Sequence, residues 1–128
     1  VQKPLVLGVT MLTSIDEKQF QTDFETTRKL IDQVSYFAEL AQHAGLDGVV
    51  ASPHEIDVIR KTCGEDFVIV TPSVRPSWAA KNDQSRVMTP AEAIARGANY
   101  IVVGRPIYAS PNPKEAVVKI LQEIDDDC

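Results

Sequence analysis

An α/β fold with a parallel sheet follows from three patterns in this chain. Short apolar runs rich in Val and Ile recur four times, each followed by a segment of helical periodicity. Turn residues bound every run. Three of the helical segments open on a capping side chain, then Pro, then Glu two residues later. Strands buried on both faces read as continuous apolar runs, and strand–helix alternation implies right-handed crossovers.

The first run is Leu5 to Thr10, and the next three are Leu46 to Ala51, Phe67 to Thr71 and Tyr100 to Val103. A short helix is expected over Glu17 to Phe24. A longer one over Leu30 to Ala44 places Ile31, Val34, Phe37, Ala38 and Ala41 on one face. The starts Ser52-Pro53-His54-Glu55, Thr89-Pro90-Ala91-Glu92 and Asn112-Pro113-Lys114-Glu115 open the remaining helices. In each, the cap oxygen accepts an orphaned N–H, Pro loses no needed donor, and Glu favours the positive helix end. The Ser and Thr starts are full capping boxes. Gly45, Gly64 and Gly97 fall where helices should stop. The last helix is expected to end near Ile124, because the acidic residues Asp125, Asp126 and Asp127 oppose the helix dipole. Residues 1–124 then form one domain and residues 125–128 an acidic tail. Four βα units of about 32 residues each match half of an eight-unit barrel. They also match a small open doubly wound sheet, and composition does not separate the two.

The 128 residues are 44% hydrophobic and 24% charged, typical of a globular domain with one core. The net charge of −5 argues against nucleic-acid binding, which a basic face would drive. No segment approaches the ~18 uninterrupted apolar residues of a membrane span. The start, Val1-Gln2-Lys3-Pro4, does not read as a signal peptide, and it lacks an initiator Met. The two cysteines, Cys63 and Cys128, have no metal-ligand spacing with His43 or His54. Cys63 reads as a packing residue, and a reduced, cytoplasmic protein is the default.

Three segments carry candidate chemistry, each after a predicted strand, where parallel α/β proteins bind ligands. Thr71-Pro72-Ser73-Val74-Arg75-Pro76 leads into a polar loop, Ser77 to Val87, with Trp78, Lys81, Asn82, Gln84 and Arg86. A polar surface loop is an equally good reading of that stretch. Val103-Gly104-Arg105-Pro106 ends the fourth strand. There Gly permits close backbone approach and Arg offers a planar fork of donors suited to phosphate. The bland alternative is an arginine paired with a surface carboxylate. Thr10-Met11-Leu12-Thr13-Ser14 offers hydroxyls and amides after the first strand, or equally a cap for the helix starting near Asp16.

Taken together and in order, these segments resemble the second half of bacterial orotidine 5′-phosphate decarboxylases. The resemblance rests on Val9 to Ser14, Asp47 to Ser52, Val70 to Pro76, Asp83 to Pro90 and Val103 to Ile107, and runs from Leu5 to about Ile124. The Asp-Gln-x-Arg-x-Met-Thr-Pro run and Gly-Arg-Pro-Ile are its most specific parts. It implies a (β/α)8 TIM barrel, this chain supplying strands five to eight. It implies that Gln84 and Arg105 grip the substrate 5′-phosphate, with Gly104 and Arg75 beside them. Thr13 and Ser14 would lie by the pyrimidine, with Pro72 packed near it. The family usually has Gly at the positions of Ser73 and Asn82.

The resemblance implies a carboxy-lyase of de novo pyrimidine synthesis, acting on the nucleotide OMP to give UMP, with no cofactor and no metal. Its Asp-x-Lys-x-x-Asp-Ile-Pro motif, which carries much of the Lys/Asp catalytic array, is not in this sequence, and Lys61 and Lys81 have no carboxylate partners at strand spacing. The chain alone is therefore expected to hold a nucleotide weakly and not to decarboxylate, and no catalytic residue is assigned. A second reading is a non-catalytic folding or assembly module. A half-barrel has two open edges and an uncovered inner face, so it is expected to form a homodimer or to take a complementing N-terminal half-barrel. A third is a related phosphosugar enzyme such as hexulose-phosphate synthase. Met-Thr-Pro and Gly-Arg-Pro-Ile favour the decarboxylase.

Overall fold

The computed structural model describes residues 2–79 and 87–127. Four strands, β1 (Leu7–Val9), β2 (Gly48–Val50), β3 (Val68–Thr71) and β4 (Tyr100–Ile101), pair in parallel in the order β1-β2-β3-β4. Six α-helices follow or separate them: α1 (Glu17–Asp23), α2 (Leu30–His43), α3 (Ile56–Cys63), α4 (Pro90–Arg96), α5 (Arg105–Tyr108) and α6 (Pro113–Asp127). A 3-10 turn, Pro53–Glu55, leads into α3. The unbroken strand order settles the choice left open by composition. A doubly wound sheet reverses its order at a switch point, whereas a barrel adds each strand beside the last.

Register explains which face is covered. Gly8, Val49 and Ile69 stand side by side across three strands. Val49 and Ile69 are fully buried and share a core with Val34 and Ala38 of α2, Ile56 and Ile59 of α3 and Ala93 of α4. A β-carbon on Gly8 would meet Leu46 and Ala41, so this row faces the helices. The neighbouring row, Val9, Val50, Val70 and Tyr100, crosses all four strands and faces the other way. At its two ends Val9 is 63% and Tyr100 57% exposed. The sheet thus has one covered face and one apolar face open to solvent.

Local signals place the helices. Thr89 accepts from Glu92 N–H at 3.3 Å while the Glu92 carboxylate accepts from Thr89 N–H at 2.9 Å, closing the box that starts α4. At the 3-10 turn, Glu55 reaches back to Ser52 N–H at 3.0 Å. Asn112 accepts from Glu115 N–H at 3.2 Å at the start of α6. Gly45, Gly64 and Gly97 all have positive φ at helix ends.

Two expectations are corrected. The phase of α2 is set by Val34 and Ala38, which puts Leu30 inside and leaves Ile31 exposed. Leu30 precedes Val34 by four residues, one turn up the same face, and Ile31 is rotated about 100° toward water. Helix α6 continues to Asp127 instead of ending near Ile124. An exposed acidic residue at a helix end opposes the dipole by only a few tenths of a kcal/mol, less than each further turn gains once the helix is nucleated.

Candidate functional site

The C-terminal ends of the strands gather most of the residues singled out in the sequence. An open cavity of about 270 Å3 is lined by Thr13, Pro72, Ser73, Arg75, Gly104 and Arg105, together with Val74, Val102, Pro106 and Tyr108. Three segments supply these residues: the loops after β1 and β3, and the turn after β4 together with α5. A second cavity of about 300 Å3 adjoins it and shares Arg75, Arg105 and Pro106, with Trp78 on its far wall. Arg75 and Arg105 therefore line both cavities.

Each of these side chains is held by its own segment. After β3, just beyond Ser73, Val74 pairs with Met88 in a parallel bridge. Arg75 N–H donates to Met88 C=O at 3.0 Å, and Val74 and Met88 are both buried. This clamp fixes Arg75, itself only 7% exposed, at the base of the loop. Arg105 is the first residue of α5, where Pro106 suits the second helical position because it loses no needed donor. Gly104, just before it, has φ of −106°, so positive φ is not what requires glycine there. A β-carbon would stand 3.4 Å from the Tyr108 ring on the cavity wall. A guanidinium presents a planar set of donors to an oxyanion, and burial among apolar walls strengthens such a contact.

The hydroxyls after β1 divide by role. Thr10 is buried and donates to Val50 C=O at 3.0 Å, so it serves the sheet. Asp16, not Thr13 or Ser14, caps α1, accepting from Gln19 N–H at 2.7 Å. Thr13 lines the cavity and accepts a hydrogen bond from Ser73 at 2.9 Å. Ser14 is exposed and does not line the cavity. Gln84, Asn82 and Lys81 lie outside the described residues.

Sequence reasoning did not single out Ser73 or Tyr108 as cavity residues. Ser73 stood out only as a departure from a usual glycine, and Tyr108 had no signal beyond its place after Gly-Arg-Pro-Ile. Cys63 packs against the core, as expected from its position. Burial first, then the nearby Glu39 carboxylate, raises its thiol pKa, which disfavours the nucleophilic thiolate. Among the described residues no group of three or more His, Cys, Asp or Glu is placed to share a metal ion, and no helix is long and apolar enough to cross a membrane. Among the described residues the cavity lining contains arginine but neither lysine nor carboxylate.

The family described as Orotidine 5′-phosphate decarboxylase / HUMPS family matches residues 2–120. The orotidine 5′-phosphate decarboxylase of Moorella thermoacetica is 52% identical over 122 residues, which is 95% of this chain and 48% of that protein. That of Synechocystis is 48% identical over 94% of this chain and 52% of its own length. Among solved structures, the orotidine 5′-phosphate decarboxylase of Lactobacillus acidophilus superposes with a TM-score of 0.78 at 36% identity, covering 95% of this chain and 50% of that one. An uncharacterized conserved protein from Geobacillus kaustophilus superposes with a TM-score of 0.76 at 32% identity, covering 96% and 50%. The chain spans about half the length of the curated relatives it matches. On this match over nearly its whole length, the chain belongs to the orotidine 5′-phosphate decarboxylase / HUMPS family.

Proposed function

We propose that this chain is the nucleotide-holding half of an orotidine 5′-phosphate decarboxylase. One observation carries the reading: segments after three different strands bring Thr13, Pro72, Arg75, Gly104 and Arg105 around one cavity. Arg105 and Arg75 take the 5′-phosphate, with Gly104 allowing close approach. Thr13 and Pro72 take the pyrimidine side, with Ser14 nearby in sequence. Gln84 is read as a further phosphate ligand from the family resemblance alone.

The chemistry divides accordingly. Decarboxylation breaks the bond between C6 and the carboxylate, releases CO2 and places a proton on C6. Charge develops at C6, so the rate comes from groups aimed at that atom. The residues lining this cavity hold the remote phosphate, whose binding energy is used at the reacting centre. The lysine and carboxylates of that centre belong, on this reading, to a complementing N-terminal half-barrel. The open apolar row Val9, Val50, Val70 and Tyr100 and the two free sheet edges are the surface it would cover. A homodimer of this chain would cover the same surface less completely, without supplying the lysine. A reduced cytoplasm suits the substrate and the free Cys63.

Titration of the chain with 6-azauridine 5′-monophosphate, followed by NMR, tests the reading. Shifts concentrated at Thr13, Arg75, Gly104 and Arg105 are expected, with saturation in the millimolar range or below. Orotidine 5′-phosphate should bind without loss of its absorbance. Absence of shifts at millimolar ligand would refute nucleotide binding by this half.

A further inference from the structure

Among the described residues only Glu25 and Ser73 are non-glycines with positive φ. Glu25 is exposed in the connection after α1, whereas Ser73, at φ of 62°, lines the cavity. An L-residue with a β-carbon is strained in that region, and such strain persists only where the surroundings over-determine it. Here they do. Pro72 restricts the backbone on one side, and Val74, 2% exposed and bridged to Met88, anchors it on the other.

The serine hydroxyl has a definite use. Ser73 Oγ donates to Thr13 Oγ1 at 2.9 Å, joining residues 60 apart in sequence. The bond ties the loop after β3 to the loop after β1, directly across the cavity wall. Glycine at this position would relieve the backbone and remove this bond between the two loops.

We infer that Ser73 is a positioning residue for the ligand, acting through Thr13. The inference rests on the nucleotide-binding reading above. Accepting from Ser73 occupies one lone pair of the Thr13 oxygen and restricts its rotamer. The hydroxyl is therefore set in place on the pyrimidine side before the ligand arrives, which lowers the ordering cost of binding. The phosphate end is assigned to Arg75 and Arg105, neither of which takes part in this bond.

That division gives the inference a sign that a purely structural role would not show. Ser73→Gly should unfold at higher urea concentration than the parent, because the strain is gone. It should nevertheless bind 6-azauridine 5′-monophosphate about 3- to 10-fold more weakly, the usual worth of one hydrogen bond. Its affinity for inorganic phosphate should not change. Ser73→Ala, which keeps the strain and loses the hydroxyl, should be less stable than Ser73→Gly and equally weak for the nucleotide. In a Thr13→Val background Ser73→Gly should have no further effect on affinity. If Ser73→Gly binds the nucleotide as tightly as the parent, or weakens nucleotide and phosphate alike, positioning through Thr13 is wrong while nucleotide binding stands. If the parent chain binds phosphate but not the nucleotide, the functional reading fails and this inference falls with it.

Discussion

The two ends of the sheet use the same residue type in opposite ways. At the N-terminal end of the strands, Arg60 of α3 is saturated by the protein itself. Its guanidinium donates to Gly64 C=O at 3.0 Å, Glu65 C=O at 3.2 Å, Gly97 C=O at 2.7 Å and Asn99 Oδ1 at 2.6 Å, and also to Phe67 C=O. Asn99 Oδ1 in turn accepts from Ile69 N–H at 2.9 Å. At the C-terminal end, Arg75 and Arg105 line a cavity, Ser73 is strained, and the buried hydroxyls of Ser52 and Thr71 have no hydrogen-bond partner among the described residues. One end closes its polar groups on one another. The other gathers polar side chains and a strained backbone around an opening, which is the separation of stability from ligand binding expected of parallel barrels.

Removing Arg60 should have the largest effect on stability. Arg60→Ala would leave the carbonyls after α3, the Phe67 carbonyl before β3 and the carbonyl at the α4 terminus short of donors at once, at a cost of about 3 kcal/mol. Urea unfolding would show this as a lower midpoint with an unchanged slope. Lysine should not rescue it, since a point charge with three donors cannot span acceptors arranged for a planar fork. Arg105→Ala should do the reverse. It is expected to weaken inorganic phosphate and 6-azauridine 5′-monophosphate binding by about 30- to 100-fold, since one charge-assisted contact is lost. Its urea midpoint should fall less than that of Arg60→Ala. An Arg105→Ala variant that unfolds as easily as Arg60→Ala would erase the contrast between the two ends.

Gly97→Ala sharpens the same contrast more gently. Gly97 has φ of 114°, and a β-carbon there would lie 3.1 Å from Arg60 Nε. The left-handed backbone alone should cost about 1–2 kcal/mol. Displacement of the guanidinium adds to that, so Gly97→Ala in an Arg60→Ala background should cost less than it does alone. Double-mutant urea unfolding checks this.

The sequence showed one end of this contrast more clearly than the other. Gly97 was legible as a helix stop because the αL cap is a local device. The same holds for Gly45, Gly64 and the Pro-x-Glu helix starts, whose hydrogen bonds span three or four residues. The strand order, and hence the choice of barrel over doubly wound sheet, was not legible, because pairing is non-local. Arg60 was invisible for the same reason. Near the end of a helix an arginine reads as a complement to the dipole, yet its acceptors Gly97 and Asn99 lie 37 and 39 residues away. At the candidate site, Arg75, Arg105, Gly104, Thr13 and Pro72 were expected from their place after strands or from resemblance, and all five line one cavity. Ser73 resisted reading because its value lies in a backbone angle and a partner 60 residues distant.

The smallest expected effect concerns a cap at the functional end that is fully satisfied. Thr89 and Glu92 close the start of α4 in the chain just beyond Met88, whose carbonyl clamps Arg75. The Thr89 backbone N–H first, then its hydroxyl, hold the Glu92 carboxyl below its ordinary pKa, helped by Arg96 and His54. A depressed carboxylate pKa contributes stability that is present above the unfolded value and lost as pH falls through the folded one. The loss should therefore appear only on the acid side, beginning as pH drops into the ordinary glutamate range. Glu92→Gln should flatten that part of the stability–pH curve while changing neutral stability little, because Glu92 is exposed and screened. Thr89→Ala removes the cap oxygen too and should cost about 1 kcal/mol at neutral pH. If the clamp on Arg75 depends on this cap, Thr89→Ala will also weaken phosphate binding. If the Val74–Met88 bridge holds it alone, phosphate affinity will match the parent's, and the strain and openness of the site will be confined to the cavity wall itself.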